Sequence, residues 1–413
     1  MSDKIKREVY RILLVLGTNR LSNSFMFAVY SVFLLSRGLN LFQIAMINLV
    51  YHITIPLLEA PTGAIADLMG RKRSYLLSNV LQVIGFLMYA FSHSFIGFVA
   101  AEFILAVSYT FASGCTDAHL WETVSAHATS EGLEEFETKD VNRSAQFSKE
   151  IVIRAAGAIG GSLGPLIASV NMSLPWLASA GGVVISSIFA YKLLRSDSEN
   201  MNVAHASHTL VLPSIKKAIQ QIRSSRSLKR QVVLSFLAGA SMMPIFMYWA
   251  PYIKNLAKGS GWLSLSFAWL LIEGAILVGA YLSKRFARTT SDERITLWGT
   301  IVTASAIALL ALSRQYYLAL AMLIVVEAGN SSSAQSMTMG RQSAINDIHV
   351  KDEDSLRATI LSIVSMSAEV GVVISLVIAG LLSQYYSISV AWFASAFVLA
   401  ISVTIQIVWK RRG

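Results

Sequence analysis

The sequence predicts an all-α integral membrane protein with twelve transmembrane helices in two six-helix halves. Three observations lead to this fold class. Hydrophobic residues make up 54% of the chain and charged residues only 14%, whereas soluble domains are typically about 25% charged. Apolar runs close to the ~20 residues that cross a hydrocarbon core recur along the chain. A long polar segment near the middle separates these runs into six and six.

Twelve apolar runs are predicted as transmembrane helices. No short apolar core followed by a small-residue cleavage site precedes them, so we predict no cleavable signal peptide. The single cysteine, Cys115, excludes an internal disulfide. The predicted spans are 10–35, 42–66, 74–92, 95–117, 148–170, 174–194, 231–253, 262–283, 295–313, 316–337, 359–383 and 389–409.

Lysine and arginine are unevenly distributed between alternate loops. The loops on the side of the termini hold most of the 34 basic residues, whereas the opposite loops hold Arg37, Lys254, Lys258 and Arg314. Because loops rich in Lys and Arg stay in the cytosol, both termini are predicted to be cytosolic. The net charge of +10 thus lies between apolar runs. This distribution argues against a nucleic-acid partner, which would require basic residues clustered on a soluble face.

The middle segment 192–230 divides the chain into domains. Ser196 to His208 is polar and predicts a flexible linker. Leu212 to Leu228 places isoleucines on one helical face and basic residues elsewhere, which suits a helix lying on the anionic inner leaflet. A solvated basic linker is the alternative. The predicted domains are an N-terminal bundle, a cytosolic linker with an amphipathic helix, and a C-terminal bundle, at 1–195, 196–230 and 231–413.

A short charged turn between the second and third spans has the spacing G-x-x-x-D-x-x-G-R-K, formed by Gly63, Asp67, Gly70, Arg71 and Lys72. Glycine lets the backbone turn tightly, and basic residues resist crossing the bilayer. This spacing resembles the signature between the second and third helices of the major facilitator superfamily of transporters. The resemblance implies two pseudo-symmetric six-helix halves, a substrate cavity near the midplane between them, and a gating role for the turn.

A second segment, 279–288, resembles a degenerate copy of this motif. It lies at the end of the second span of the second half. Gly279 and Arg288 keep a glycine and a basic position, whereas Ser283 and Phe286 replace the aspartate and the second glycine. The repeat supports the division into two related halves.

Gly160, Gly164 and Pro165 in the fifth span resemble the G-x-x-x-G-P core that is associated with proton-driven drug exporters of the superfamily. Glycines permit close helix approach and proline bends a helix. Ala168 and Ser169 stand where that signature has two further glycines. Glycine-rich membrane helices also pack in this way in many other proteins, so helix packing alone is the alternative interpretation.

The fourth span departs from the superfamily pattern. It carries Glu102 and lacks the arginine that is often found there, so the proton-relay role of that arginine cannot be transferred. Segments 59–63, 113–122 and 357–359 are similar to a bacterial branch of permeases. That similarity implies a plasma membrane location, in a bacterial inner membrane, but does not name a substrate.

Ionisable residues inside the spans are candidates for the transport site, because a charge at the centre of a membrane helix costs at least ~2.5–3.5 kcal/mol. Arg20, Glu273, Glu327 and Glu369 are predicted near the midplane and Glu102 nearer the outer face. The resemblance places Arg20 and Glu327 across the cavity from each other. Arg20 would bind an anionic group, while a glutamate would carry a proton. A permanent buried ion pair that holds the halves together is the alternative.

The predicted function is secondary transport of a small organic solute by alternating access, as proton-coupled efflux of a drug or metabolite. A proton-coupled or facilitative importer of a small, possibly anionic solute is the alternative. No nucleotide-binding loop and no metal-ligand spacing is present, so we expect no cofactor, no metal and no enzymatic activity. A receptor or sensor on a transporter scaffold is a further hypothesis. The absence of a soluble signalling domain in the sequence argues against it. The expected partners are a small-molecule substrate, protons and the lipid bilayer, and the expected state is a monomer.

Overall fold

A computed structural model of the chain describes residues 2–113, 115–131, 134–194, 211–257, 261–346 and 354–411. These ranges form fifteen α-helices, which confirms the predicted all-α class. The helices are α1 (Asp3–Ser24), α2 (Tyr30–Ser36), α3 (Leu41–Met69), α4 (Arg71–Phe91), α5 (Phe95–Ala112), α6 (Cys115–Ser130), α7 (Glu135–Val170), α8 (Leu174–Leu193), α9 (Val211–Ser224), α10 (Arg226–Leu256), α11 (Gly261–Phe286), α12 (Asp292–Leu312), α13 (Tyr316–Asn346), α14 (Asp354–Tyr385) and α15 (Ile388–Arg411).

Eleven of the helices in the described ranges are long and apolar enough to cross a membrane. They coincide with the second to twelfth predicted spans, and the chain is a multi-pass membrane protein. The helices are α3, α4, α5, α7, α8 and α10 to α15.

The first predicted span, 10–35, is not one continuous helix. It is divided between α1 and α2 by a turn at residues 25–29. Within this turn the Phe27 amide donates to the Ser24 carbonyl at 3.2 Å, and the Val29 amide donates to the Met26 carbonyl at 3.1 Å. These bonds satisfy the backbone while the helix is interrupted, as a membrane interior requires.

The fourth predicted span, 95–117, extended too far. Helix α5 ends at Ala112, and a new helix, α6, begins at Cys115. The polar segment that follows is also largely helical. Glu134 and Glu137 form a capping box that stabilises the start of α7. Helix α7 therefore begins well before its apolar part.

The described residues cluster into two compact units. The first comprises 1–39, 50–203 and 262–270, and the second comprises 40–49, 204–261 and 271–413. The predicted domain boundaries at 195 and 231 stay predictions. The predicted linker from Ser196 to His208 lies outside the described residues, as does Lys258.

Each unit has an apolar core. In the first unit α1 contributes Val9, Ile12 and Val15 to a buried cluster that also includes Leu120 and Val124 of α6. This cluster fixes α6 against the start of the chain. The charged turn between α3 and α4 belongs to the same unit.

In the second unit the amphipathic helix α9 buries part of its apolar face. Ala218 and Ile222 pack in a cluster with Leu356 and Ile360 of α14, whereas Ile215 and Ile219 are exposed. Helix α9 is therefore docked on the protein by one edge of its apolar face. Whether the exposed edge meets the membrane stays a prediction.

Candidate functional site

The charged turn between α3 and α4 depends on Gly70. This residue caps the start of α4 with φ 86° and ψ 151°, a backbone conformation that is accessible essentially to glycine alone. Gly63 differs, because it lies inside α3 and a Cβ atom there would meet no heavy atom within 4 Å. Of the two motif glycines, Gly70 is the one that the backbone requires.

Arg71 connects the turn to α6. Its guanidinium lies 3.9 Å from the Asp67 carboxylate one helical turn earlier and 3.5 Å from the Glu122 carboxylate of α6. The structure thus brings together two of the predicted gating residues. It also adds Glu122, which the sequence analysis had included only in a similarity to permeases.

Lys72 connects the same turn to the end of α8. Its ammonium group donates to the carbonyl oxygens of Tyr191 at 2.8 Å and Leu194 at 2.7 Å. These carbonyls lie at the helix C-terminus, where they have no intrahelical donor and where the helix dipole favours a cation. Adjacent basic residues of one motif therefore contact different helices.

A second contact joins segments that resemble the permease branch. The Ser113 hydroxyl, in the break between α5 and α6, donates to the Glu59 carboxylate of α3 at 3.1 Å. Together with the Arg71 to Glu122 pair, this contact links α3, α4, α5 and α6 around the charged turn. The third segment, 357–359, belongs to the second unit.

Gly160 and Gly164 allow α7 to pack directly on the backbone of the first span. A Cβ atom at Gly160 would collide with the Leu21 carbonyl, and one at Gly164 would collide with the Phe25 carbonyl. Pro165 follows inside the same helix. The glycine motif of the fifth span thus faces the point where α1 ends and the turn begins.

Arg20 lies one helical turn before that point. Its guanidinium carbon is 5.0 Å from the centre of the Phe27 ring, within the range of a cation–π interaction. Phe27 in turn packs against Trp269 with ring centres 6.0 Å apart, and the Trp269 indole donates to the Gly157 carbonyl at 3.0 Å. The guanidinium is therefore held at an aromatic surface in the first unit.

Next to Arg20 is an amide cluster that the sequence analysis missed. The Asn19 amide donates to Asn79 at 3.2 Å and to Gln82 at 3.3 Å, and the Asn23 amide donates to Asn19 at 2.7 Å. Asparagines one turn apart on α1 and amides three residues apart on α4 are the signal that could have found it.

Glu102 is buried among aromatic side chains in the first unit. The Tyr89 hydroxyl donates to its carboxyl group, and the Tyr89 and Tyr30 hydroxyls lie 3.3 Å apart. Tyr89 also stacks on Trp176, with ring centres 4.1 Å apart and an interplanar angle of 5°. The carboxyl group is thus held by a tyrosine rather than by a cation.

Glu273 and Glu327 lie together in the second unit. The two residues are only 6% and 2% exposed. The Ser331 hydroxyl, one turn after Glu327 on α13, donates to the Ile276 carbonyl of α11 at 2.7 Å, which aligns the two glutamates. Glu369 is half-buried on α14. That Arg20 faces Glu327 stays a prediction, because they belong to different units.

The degenerate copy of the motif in the second unit serves packing. A Cβ atom at Gly279 would collide with the Ala328 carbonyl of α13, and Ser283 is buried. Gly279 thus brings α11 close to α13 just after the level of the two glutamates. Ser283 stands where the first motif has its largely exposed aspartate.

Comparisons with known proteins rest on structure. No protein-family model matches the chain, and no curated protein matches it. In the described parts of the chain, no group of three or more His, Cys, Asp or Glu residues could hold a metal ion. The solved structures that are similar to it are membrane transporters with low sequence identity.

Three solved structures illustrate the similarity. The nucleoside transporter NupG is 11% identical with a TM-score of 0.77, over 97% of this chain and 98% of that chain. A bacterial homologue of the human lysosomal transporter Spinster is 11% identical with a TM-score of 0.70, over 100% and 98%. An auto-inhibited POT family peptide transporter is 12% identical with a TM-score of 0.73, over 98% and 97%. The chain therefore has the fold of the major facilitator superfamily transporters.

Proposed function

We propose that the protein is a secondary transporter that moves a small organic solute across the membrane by alternating access. The observation that carries this proposal is the similarity of nearly the whole chain to solved transporters, among them nucleoside, peptide and organic anion transporters. The buried polar groups inside the spans support it, because such groups are costly in a membrane and usually mark a solute or ion path.

We assign proton coupling to Glu273 and Glu327. Both glutamates are almost fully buried on helices that contact each other, and buried ionisable groups inside membrane helices often mark a proton path. Because both carboxyl groups are buried, they can exchange a proton only when water reaches them. A carrier that alternates between two open states supplies that access once per cycle. Glu369, on a neighbouring helix of the same unit, is the third candidate.

Efflux in exchange for protons is the direction that the glycine motif of α7 supports. Gly160, Gly164 and Pro165 resemble the exporter signature, and the two glycines allow α7 to reach the backbone near Leu21 and Phe25. Proton-coupled or facilitative import is the second candidate. We propose a cytosolic location for both termini, in a bacterial inner membrane, on the charge distribution and on the similarity to bacterial permeases.

Transport can be tested with purified protein reconstituted in liposomes. Nucleosides, short peptides and organic acids are added outside, and their accumulation is measured with an imposed pH gradient. A proton antiporter accumulates solute when the interior is acidic, because protons leave as solute enters. A symporter requires the opposite gradient, and a facilitative carrier only equilibrates the solute. No solute movement beyond that of empty liposomes under either gradient would count against transport.

The control is the Asp67→Asn variant in the same liposomes. Asp67 lies near the end of α3 with its side chain 63% exposed, so its substitution should slow the cycle without changing which gradient drives it. A variant that reversed the preferred gradient would contradict the assignment of Asp67 to gating.

A further inference from the structure

The second unit contains a cavity of about 190 Å³ among α10, α12, α13, α14 and α15. One water molecule needs only ~10–15 Å³ by the same kind of measure, so the cavity can hold a small organic molecule. Its walls are largely apolar but carry several serine and threonine hydroxyl groups. Six of the lining hydroxyl groups belong to Ser235, Ser241, Thr300, Thr303, Ser333 and Ser402.

The cavity follows one face of α13. Lining residues recur on this helix from Asn330 to Arg341 at alternating intervals of three residues and one residue, which places them on one side of the helix. Eleven residues of helix correspond to a length of roughly 16 Å. The cavity is therefore elongated, with Arg341 at one end.

Arg341 is the charged residue among the described side chains that line the cavity. One of its terminal nitrogens donates to the Ser235 hydroxyl at 3.3 Å. Its Nε atom is buried and has no hydrogen-bond partner. A guanidinium offers five donors in a plane and matches a carboxylate or phosphate. The fixed cation and its unused donor thus point to an anionic group at this end.

The other hydroxyl groups favour a different part of the ligand. Thr300 and Thr303 donate their protons to carbonyl oxygens of their own helix, at 2.7 and 2.8 Å. The Thr300 oxygen also accepts a bond from the Gln406 amide at 3.4 Å. The remaining capacity of both oxygens is to accept, so a ligand that bonds to them must supply donors. Hydroxyl groups on the ligand would do so.

We propose that this cavity binds a small organic anion that also carries hydroxyl groups, with its anionic group at Arg341 and its hydroxyl groups along Thr300 and Thr303. The inference concerns a site within the second unit and goes beyond the proposed transport function. Binding is measured in detergent without transport, so a failure of this inference leaves the transport proposal untouched.

The test is a calorimetric titration of the purified full chain in a neutral detergent. The probe is gluconate, which has a carboxylate and a hydroxylated chain. Sorbitol has the hydroxyl groups without the charge, and hexanoate has the charge without the hydroxyl groups. We expect gluconate to bind at least tenfold more tightly than either. Equal affinity for gluconate and sorbitol would overturn the role of Arg341.

Arg341→Gln should weaken gluconate binding at least tenfold, because it removes the cation but keeps a polar side chain. The matched control is Arg285→Gln, since Arg285 is exposed at the end of α11 and does not line the cavity. If Arg341→Gln does not fold, Thr303→Val replaces it. That isosteric variant should weaken gluconate binding and leave hexanoate binding unchanged. Unchanged gluconate affinity in a folded Arg341→Gln or Thr303→Val variant would overturn the proposal.

A phosphatidylglycerol headgroup carries the same anionic and hydroxyl chemistry. The titration is therefore repeated after adding short-chain phosphatidylglycerol. For a site that binds a free solute, we expect gluconate affinity to stay within twofold. Displacement of gluconate by this lipid in the wild type, with loss of lipid retention in Arg341→Gln, would show that the occupant is a lipid and would overturn the solute assignment.

Discussion

The Tyr89 hydroxyl donates a hydrogen bond to the Glu102 carboxyl group, and both side chains are buried in the first unit. Tyr89 belongs to α4 and Glu102 to α5, so the bond joins two different helices. A buried carboxyl group without a partner loses its full solvation, so this bond decides whether Glu102 is tolerated at its position.

We predict that Tyr89→Phe lowers the free energy of unfolding by about 1–3 kcal/mol, the cost of leaving a buried polar group unsatisfied. The measurement is chemical unfolding in detergent. In a Glu102→Gln background the same substitution should cost less, because the amide that remains is easier to bury than a carboxylate. Equal costs in both backgrounds would mean that the hydroxyl and the carboxyl group do not interact.

The two motif glycines should respond differently to the same substitution. Gly70→Ala forces a Cβ atom into a backbone conformation that costs of order 1–3 kcal/mol, and we expect a corresponding loss in unfolding free energy. Gly63→Ala is the matched control, because a Cβ atom there meets open space inside a helix. It should be neutral or stabilising. A loss at Gly63 as large as at Gly70 would contradict the structural distinction.

Asp67→Asn should reduce turnover far more than stability. The Asp67 side chain is 63% exposed and its distance to Arg71 is 3.9 Å, and exposed ion pairs of this kind contribute ~0–1 kcal/mol to folding. Removing the contact shifts the balance between two conformations without touching the solute site. Turnover, solute binding and unfolding are measured on the same preparation. A proportional loss in all three would assign the pair to structure alone.

Lys72→Met tests the contact with the end of α8 separately. It keeps the length of the side chain but removes both hydrogen bonds to Tyr191 and Leu194. Because hydrogen bonds from a charged group each contribute about 1.5–3 kcal/mol, we expect a larger loss of unfolding free energy than for Asp67→Asn. The opposite order would show that Lys72 does not hold α8.

Glu327→Gln should abolish accumulation driven by a pH gradient but preserve solute exchange, which needs no net proton movement. Arg20→Ala should instead weaken binding, most for negatively charged solutes, because it removes a fixed cation. Both are measured in the liposome assay. If Glu327→Gln keeps full pH-driven accumulation, the proton site passes to Glu273 or Glu369. If all three neutral variants remain pH-driven, the protein is a facilitative carrier.

Orientation can be tested by labelling introduced cysteines on a background that lacks Cys115. Tyr386, beside Ser387, is 75% exposed between α14 and α15 and is predicted to face outward. Ser291, exposed before α12, is predicted to face the cytosol. In intact cells a membrane-impermeant thiol reagent should modify Tyr386→Cys and not Ser291→Cys. The reverse pattern would invert the predicted topology.

The helices could be predicted because hydropathy alone marks a membrane span. The interruption of the first span could not, since residues 25–29 are apolar and contain neither glycine nor proline. The contact made at this break comes from another part of the chain, where Gly160 and Gly164 bring α7 against that backbone. A local pattern does not contain that contact.

The candidate site was only partly predictable. Charged residues such as Glu327 stand out in an apolar span, and motif spacing identified Asp67 and Arg71. The partner of Glu102 and the cavity beside Arg341 depend on which helices meet. Hydroxyl groups such as those of Thr300 and Thr303 are common in membrane helices, because they bond to their own backbone. That these hydroxyl groups line one cavity depends on how the helices pack, which the sequence pattern does not show.

The turn at residues 25–29 gives the first span a hinge. Rotation about a few backbone bonds there can change the angle between α1 and α2 while both helices stay intact. Gly164 touches the Phe25 carbonyl at the start of that hinge. A larger residue at position 164 would therefore displace the backbone of the hinge. Its first effect would be on the angle between α1 and α2, rather than on the distance between α1 and α7.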